Sequence, residues 1–90
     1  MRRTSVLERD LLSRLLRAEG QLRGIQSMIK RNAYCIDVLQ QVSAVRRALD
    51  RFALLLIRDH LETCVSDAMA HRNADERIRE LVNAIDRFLG

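Results

Sequence analysis

The sequence predicts an all-α fold, three helices forming a single domain over residues 1–90. Three observations support this. The chain has no proline and only three glycines, one of them C-terminal, and is rich in Leu, Ala, Arg and Glu, a helix-forming composition. Its apolar residues recur at steps of three and four, the spacing of one helix face. Capping-box patterns, "SVLE" and "NADE", precede two of the apolar runs.

The first helix starts at the Ser5–Glu8 box and carries Leu11, Leu12, Leu15, Leu16, Leu22, Ile25 and Ile29 at helical spacing. It is expected to end near Lys30. Gly20 and Gly24 lie inside it, each costing roughly 1 kcal/mol relative to Ala; glycines one turn apart suggest close approach by another helix or a ligand, or simply a weak helix centre. "KRNAYC" then breaks the pattern, with Asn32 expected as the N-cap of the second helix. That helix is expected from about Ala33 to His71. Its seam is Cys35, Val38, Val42, Val45, Leu49, Phe52 and Leu56, alternating three and four as in a coiled coil. The third helix starts at Asn73–Glu76 and uses Ile78, Leu81, Val82, Ile85 and Phe88 as its apolar face. It is too short to cover the second, so self-association is expected.

The longest apolar run, Phe52 to Ile57, is too short to span a bilayer, and no signal peptide is evident, so no membrane association and a cytoplasmic location are expected. There, two cysteines read as ligands or redox groups rather than as a structural disulfide. The net charge is +4 and the pI about 10.0, almost all of the positive charge being arginine. This balance suits either an anionic partner or a solvated surface of mixed charge. With Tyr34, Phe52 and Phe88 the only aromatics, a platform for stacking single-stranded bases is not expected. Neither a helix-turn-helix nor a zinc-finger pattern is present. Arg14, Arg17 and Gln21 form a stripe on the first helix, and Arg47, Arg51 and Arg58 one on the second. Both could meet phosphates, or they could be solvated and paired within the helix, as Asp10 and Arg14 could be.

"HLETC" sets His60 and Cys64 one turn apart. On a continuous helix Cys35 and His60 are separated by about 37 Å, at roughly 1.5 Å per residue, so one chain cannot bring them together. Yet at about 100° per residue Cys35, His60 and Cys64 fall within roughly 40° of one direction. Two copies packed antiparallel about a two-fold axis near Ala48 and Leu49 would bring Cys35 of one to His60 and Cys64 of the other. Such a set of two thiolates and an imidazole suits Cu(I), whereas zinc normally takes a fourth ligand. Taken singly, each residue also has an ordinary reading: a cysteine as a small buried hydrophobe, a histidine as a satisfied polar group. His71 shares a similar face and reads as a residue suited to a helix C-terminus.

"RAEGQLRGI" (Arg17 to Ile25), "YCIDVLQQVSAV" (Tyr34 to Val45) and "DHLETCVSDA" (Asp59 to Ala68) together resemble the copper-sensing operon repressor family, the CsoR/RcnR group of bacterial metal and stress sensors. The similarity covers nearly the whole chain. It implies an all-helical dimer with an antiparallel four-helix-bundle core, pairing into a tetramer. It also implies a repressor that holds double-stranded operator DNA in the apo form and releases it on binding the inducer, a binding protein rather than an enzyme. By motif match, Cys35, His60 and Cys64 take the places of the Cu(I) ligands. Tyr34 and Glu80 match positions that support the ligands, Glu80 as acceptor for the imidazole. Arg14, Arg17 and Gln21 match a DNA-binding region, with Arg51 a further candidate.

Nickel and cobalt sensors of the group add a histidine near the N-terminus, where this chain reads Met1, Arg2, Arg3. Formaldehyde sensors usually lack the second cysteine, and persulfide sensors usually lack the histidine. The Cys-His-Cys set therefore favours the copper branch. One departure is Leu61–Glu62–Thr63, where copper sensors often carry a basic residue and a histidine. The alternatives are a redox-, reactive-sulfur- or aldehyde-responsive repressor of the same fold, and a copper-binding helical oligomer that does not bind DNA.

Overall fold

The computed structural model describes residues 5–70 and 74–90, without the side chains at 64, 65, 67–70 and 74. Three helices make up the described chain: α1 (Ser5–Lys30), α2 (Cys35–Ala70) and α3 (Ala74–Leu89). No strand occurs among the described residues, so the all-α expectation holds.

The α1 boundary matches its expected end at Lys30, but the turn after it is built differently. Asn32 has φ 55°, the left-handed conformation that Asn tolerates better than other non-glycine residues. Its N–H donates to the Ile29 carbonyl at 3.2 Å, and the Ala33 N–H to the Met28 carbonyl at 2.9 Å. These two bonds form a Schellman motif. Asn32 therefore terminates α1 and does not cap α2, because the last carbonyls of α1 need donors within a very short connection. The residue at the N-cap of α2 is Tyr34, whose carbonyl accepts the Val38 N–H at 3.1 Å. Accordingly α2 begins at Cys35, two residues later than expected.

Glu8 lies in the first turn of α1, and Asp75 and Glu76 in that of α3, where carboxylates meet the positive end of the helix dipole. The expected cap Asn73, and His71, lie outside the described residues.

The chain falls into two compact units, one ending at Ala53 and the other starting at Leu54. In the first, Leu11 and Ala18 of α1 and Val45 of α2 are buried. In the second, Leu81 of α3 is buried, with Ile85 one turn on half-buried. The seam of α2 serves two surfaces. Val45 is buried and Val38, Phe52 and Leu56 are half-buried, whereas Cys35 is exposed and Val42 and Leu49 remain 37% and 42% exposed. Leu39 on the same side is 55% exposed. A Cβ added at Gly20 or Gly24 would meet nothing within 4 Å, so among the described residues nothing approaches the glycine face closely.

Candidate metal centre and basic surface

His60 sits in the second unit, half-buried on α2. With Glu80, Leu81 and Ala84 of α3 it lines an open cleft of ≈240 Å³. The cleft follows from the periodicity of α3: buried Leu81 anchors the helix, and Glu80 and Ala84, one turn apart, flank it on one side. The structure thus brings together His60 and Glu80, two of the expected site residues. No hydrogen bond joins them among the described residues. Leu81 and Ala84 complete the cleft and are not among the expected site residues; the signal for them is the i, i+4 step from Glu80 to Ala84 beside the apolar stripe.

Around His60 the helix is locally tied. The Thr63 hydroxyl donates to the Asp59 carbonyl at 2.9 Å, and Arg58 Nε pairs with Glu62 Oε1 at 3.7 Å. These bonds are internal to α2 and leave the imidazole uncommitted. Cys64 follows one turn later on the same helix; its side chain lies outside the described residues. Cys35, the first residue of α2, is a free, exposed thiol, and the Tyr34 ring before it is 69% exposed. Among the described residues no three His, Cys, Asp or Glu side chains converge on a possible metal position.

The basic stripe divides. Arg14 Nε is paired with Asp10 Oδ1 at 3.1 Å and partly covered, as the pairing alternative anticipates. Arg17 and Arg51 are exposed. Gln21 is half-buried, and its Oε1 is buried with no donor among the described residues. Part of that side chain therefore belongs to the helix packing rather than to an open surface. A polar hollow of ≈170 Å³ is lined by Ser43, Arg46, Arg47 and Asp50 of α2, so Arg47 of the expected second-helix stripe opens onto it.

The family model described as metal-sensitive transcriptional repressor matches residues 8–87. The chain belongs to that family. Its members are repressors, not enzymes, and the resemblance read from the three sequence motifs is confirmed. One similar member is the copper-sensing transcriptional repressor CsoR of Bacillus subtilis, 43% identical over 82 residues, which span 90% of this chain and 81% of that protein. Among solved structures, the copper-sensing repressor CsoR with Cu(I) from Geobacillus thermodenitrificans superposes with a TM-score of 0.92 at 37% identity, covering 100% of this chain and 94% of that one. The nickel-responsive transcriptional regulator InrS matches with a TM-score of 0.80 at 45% identity, covering 89% and 90%. A nickel sensor is as similar in sequence as the copper sensors, so overall identity does not select the metal. The ligand set must.

Proposed function

We propose that this metal-sensitive repressor is a cytoplasmic Cu(I) sensor that occupies operator DNA in its apo form and is released from it by Cu(I). Cys35 of one protomer, with His60 and Cys64 of its partner, would hold the metal. The observation that carries this reading is the distribution of donors along one unbroken helix: a free, exposed thiol at Cys35, and His60 beside Glu80 in a separate unit, 25 positions later. Among the described residues no complete set of donors converges. An antiparallel two-fold pair of α2 helices supplies both halves of a site twice.

The donor set fits Cu(I). Two thiolates and one imidazole are soft ligands suited to low coordination. The exposed apolar side chains support the same assembly. Leu39, Val42 and Leu49 are 55%, 37% and 42% exposed, so covering the rest of each against a partner is worth about half of the roughly 1.5–3 kcal/mol of a full side-chain burial. We take residues 1–90 to act as one sensing and DNA-binding domain, because α2 runs through both units, and dimers to pair into tetramers. Glu80 would accept a hydrogen bond from the imidazole N–H that faces away from the metal, a role its sharing of one cleft with His60 supports. Such a bond would orient the ring and link the ligand set to α3. Tyr34, next to the Cys35 ligand in sequence, would support it. Arg17 and Arg51, with Arg14 and Gln21, supply the phosphate contacts.

A gel shift on the DNA upstream of the protein's own gene tests the reading. The apo protein should retard that DNA, and stoichiometric Cu(I) should abolish the shift, with Ni(II) and Co(II) far less effective. Retardation that Ni(II) reverses and Cu(I) does not would refute the metal assignment. An absence of any specific shift would favour a copper-binding oligomer.

A further inference from the structure

We propose that Arg46 and Asp50 form two reciprocal ion pairs across the dimer, Arg46 of each protomer with Asp50 of the other, and so lock the antiparallel register that assembles both metal sites. This rests on the antiparallel pairing of the proposed function and adds to it the residues that choose the register.

Three observations converge on this pair. The first is that both side chains are exposed, one turn apart on α2, and neither has an ion-pair partner among the described residues. Asp10–Arg14 and Arg58–Glu62 close at 3.1 Å and 3.7 Å, whereas Glu19–Arg23 and Asp75–Arg79, at the same i, i+4 spacing, stay open as Arg46–Asp50 does. Arg46 and Asp50 face, with Ser43 and Arg47, onto the polar hollow on α2. The second is their place on the helix. With the Cys35–His60–Cys64 direction taken as zero and about 100° per residue, Arg46 stands at roughly 20° and Asp50 at roughly 60°. They border the exposed apolar seam of Val42 and Leu49. Covering that seam with a partner takes Arg46 partly out of water, which is unfavourable unless a carboxylate is supplied.

The third is the register itself. In an antiparallel two-fold pair, positions equidistant from the axis face each other. The midpoint of Cys35 and the His60–Cys64 pair falls between Ala48 and Leu49. The midpoint of Arg46 and Asp50 is Ala48. The register that completes the metal sites therefore also sets Arg46 opposite Asp50 of the partner subunit, to within about one residue, or roughly 1.5 Å. An axis perpendicular to both helices keeps the same lateral edge on the same side of the dimer, so the two edges carrying these residues are neighbours. A parallel pairing puts Arg46 level with Arg46 near the contact line and the two Asp50 on opposite edges, so no opposite charges meet and the arginines repel. A slip by one helical turn also separates the pairs.

The test uses two full-length variants, Arg46→Asp and Asp50→Arg, alone and refolded together. Dimer dissociation is followed by sedimentation equilibrium, and pairing by native mass spectrometry. Each variant alone faces like charges at both contacts, so its dimer Kd should rise at least about tenfold. In the equimolar mixture the heterodimer restores both pairs. It should regain wild-type association and exceed the half share expected from random pairing. An ion pair confined to one chain gains nothing from mixing. The doubly reversed chain, Arg46→Asp with Asp50→Arg, should assemble as the wild type does and rules out a simple folding defect. Wild-type association of either single variant, or a mixture no better than its parents, overturns the proposal. Complementation of Cys35→Ala by His60→Ala/Cys64→Ala reads the antiparallel metal site separately. If copper binding is rescued there while the charge variants behave as wild type, only the register lock fails. If that rescue fails, the shared site itself is wrong.

Discussion

The shared metal site can be tested by complementation. Take Cys35→Ala in one chain and His60→Ala with Cys64→Ala in another. In either homodimer both sites lack a ligand, so neither should hold Cu(I) tightly. Unfold and refold the two chains together in equal amounts. Random pairing makes about half the dimers mixed. In a mixed dimer, one site joins the two damaged halves and stays empty. The other joins an intact Cys35 to an intact His60–Cys64 pair on the opposite chain. The unsorted mixture should therefore take up about one Cu(I) per four chains, and purified mixed dimers about one per two chains, against one per chain for the wild type. Titration against a strong Cu(I) chelator gives both stoichiometry and affinity. The affinity of the rescued site should be close to wild type, because its ligands and their surroundings are unchanged. The expectation rests on Cys35 and His60 lying on one continuous helix, 25 positions apart. Mixed dimers that bind copper no better than their parents would refute the reasoning.

Arg17→Ala and Arg51→Ala should each weaken operator binding and reduce the salt slope by about one unit for each phosphate left unneutralised, with copper affinity little changed. Arg14→Ala should cost less, because its guanidinium is already engaged by Asp10; equal losses in salt-dependent gel shifts would contradict that ranking. Glu80→Ala should leave Cu(I) bound, weaker by at most about tenfold for one ligand-supporting bond, but copper should release DNA poorly, since the proposed tie from imidazole to α3 could not form. Fluorescence anisotropy of labelled operator during a copper titration would show wild-type release if Glu80 has no part in signalling. Asn32→Ala should destabilise the fold by about 1 kcal/mol, whereas Asn32→Gly should be neutral or stabilising, because the residue sits at φ 55°. Equal urea midpoints for the two variants would show that the left-handed conformation is not needed.

The periodicity and composition of the chain determined the helix count and the end of α1 at Lys30, because apolar spacing and helical twist are local properties. Three motifs were enough to name the family, since their joint occurrence constrains many positions at once. The α1–α2 turn was not legible: Asn suits both an N-cap and a left-handed C-terminal residue, and the choice depends on which backbone groups need partners across the connection. The division of the α2 seam was likewise hidden. One apolar stripe reads the same whether it faces α1 or a second molecule. Only the tertiary structure shows Val45 buried while Val42 and Leu49 remain exposed. Tertiary structure also placed Glu80, Leu81 and Ala84 around His60, and left Arg46 and Asp50 unpaired where their spacing alone suggests a bond within the helix. The physical reason is common to these cases. Sequence specifies which faces a helix has, but which face is covered, and by what, is decided by the competition among all the surfaces available to pack.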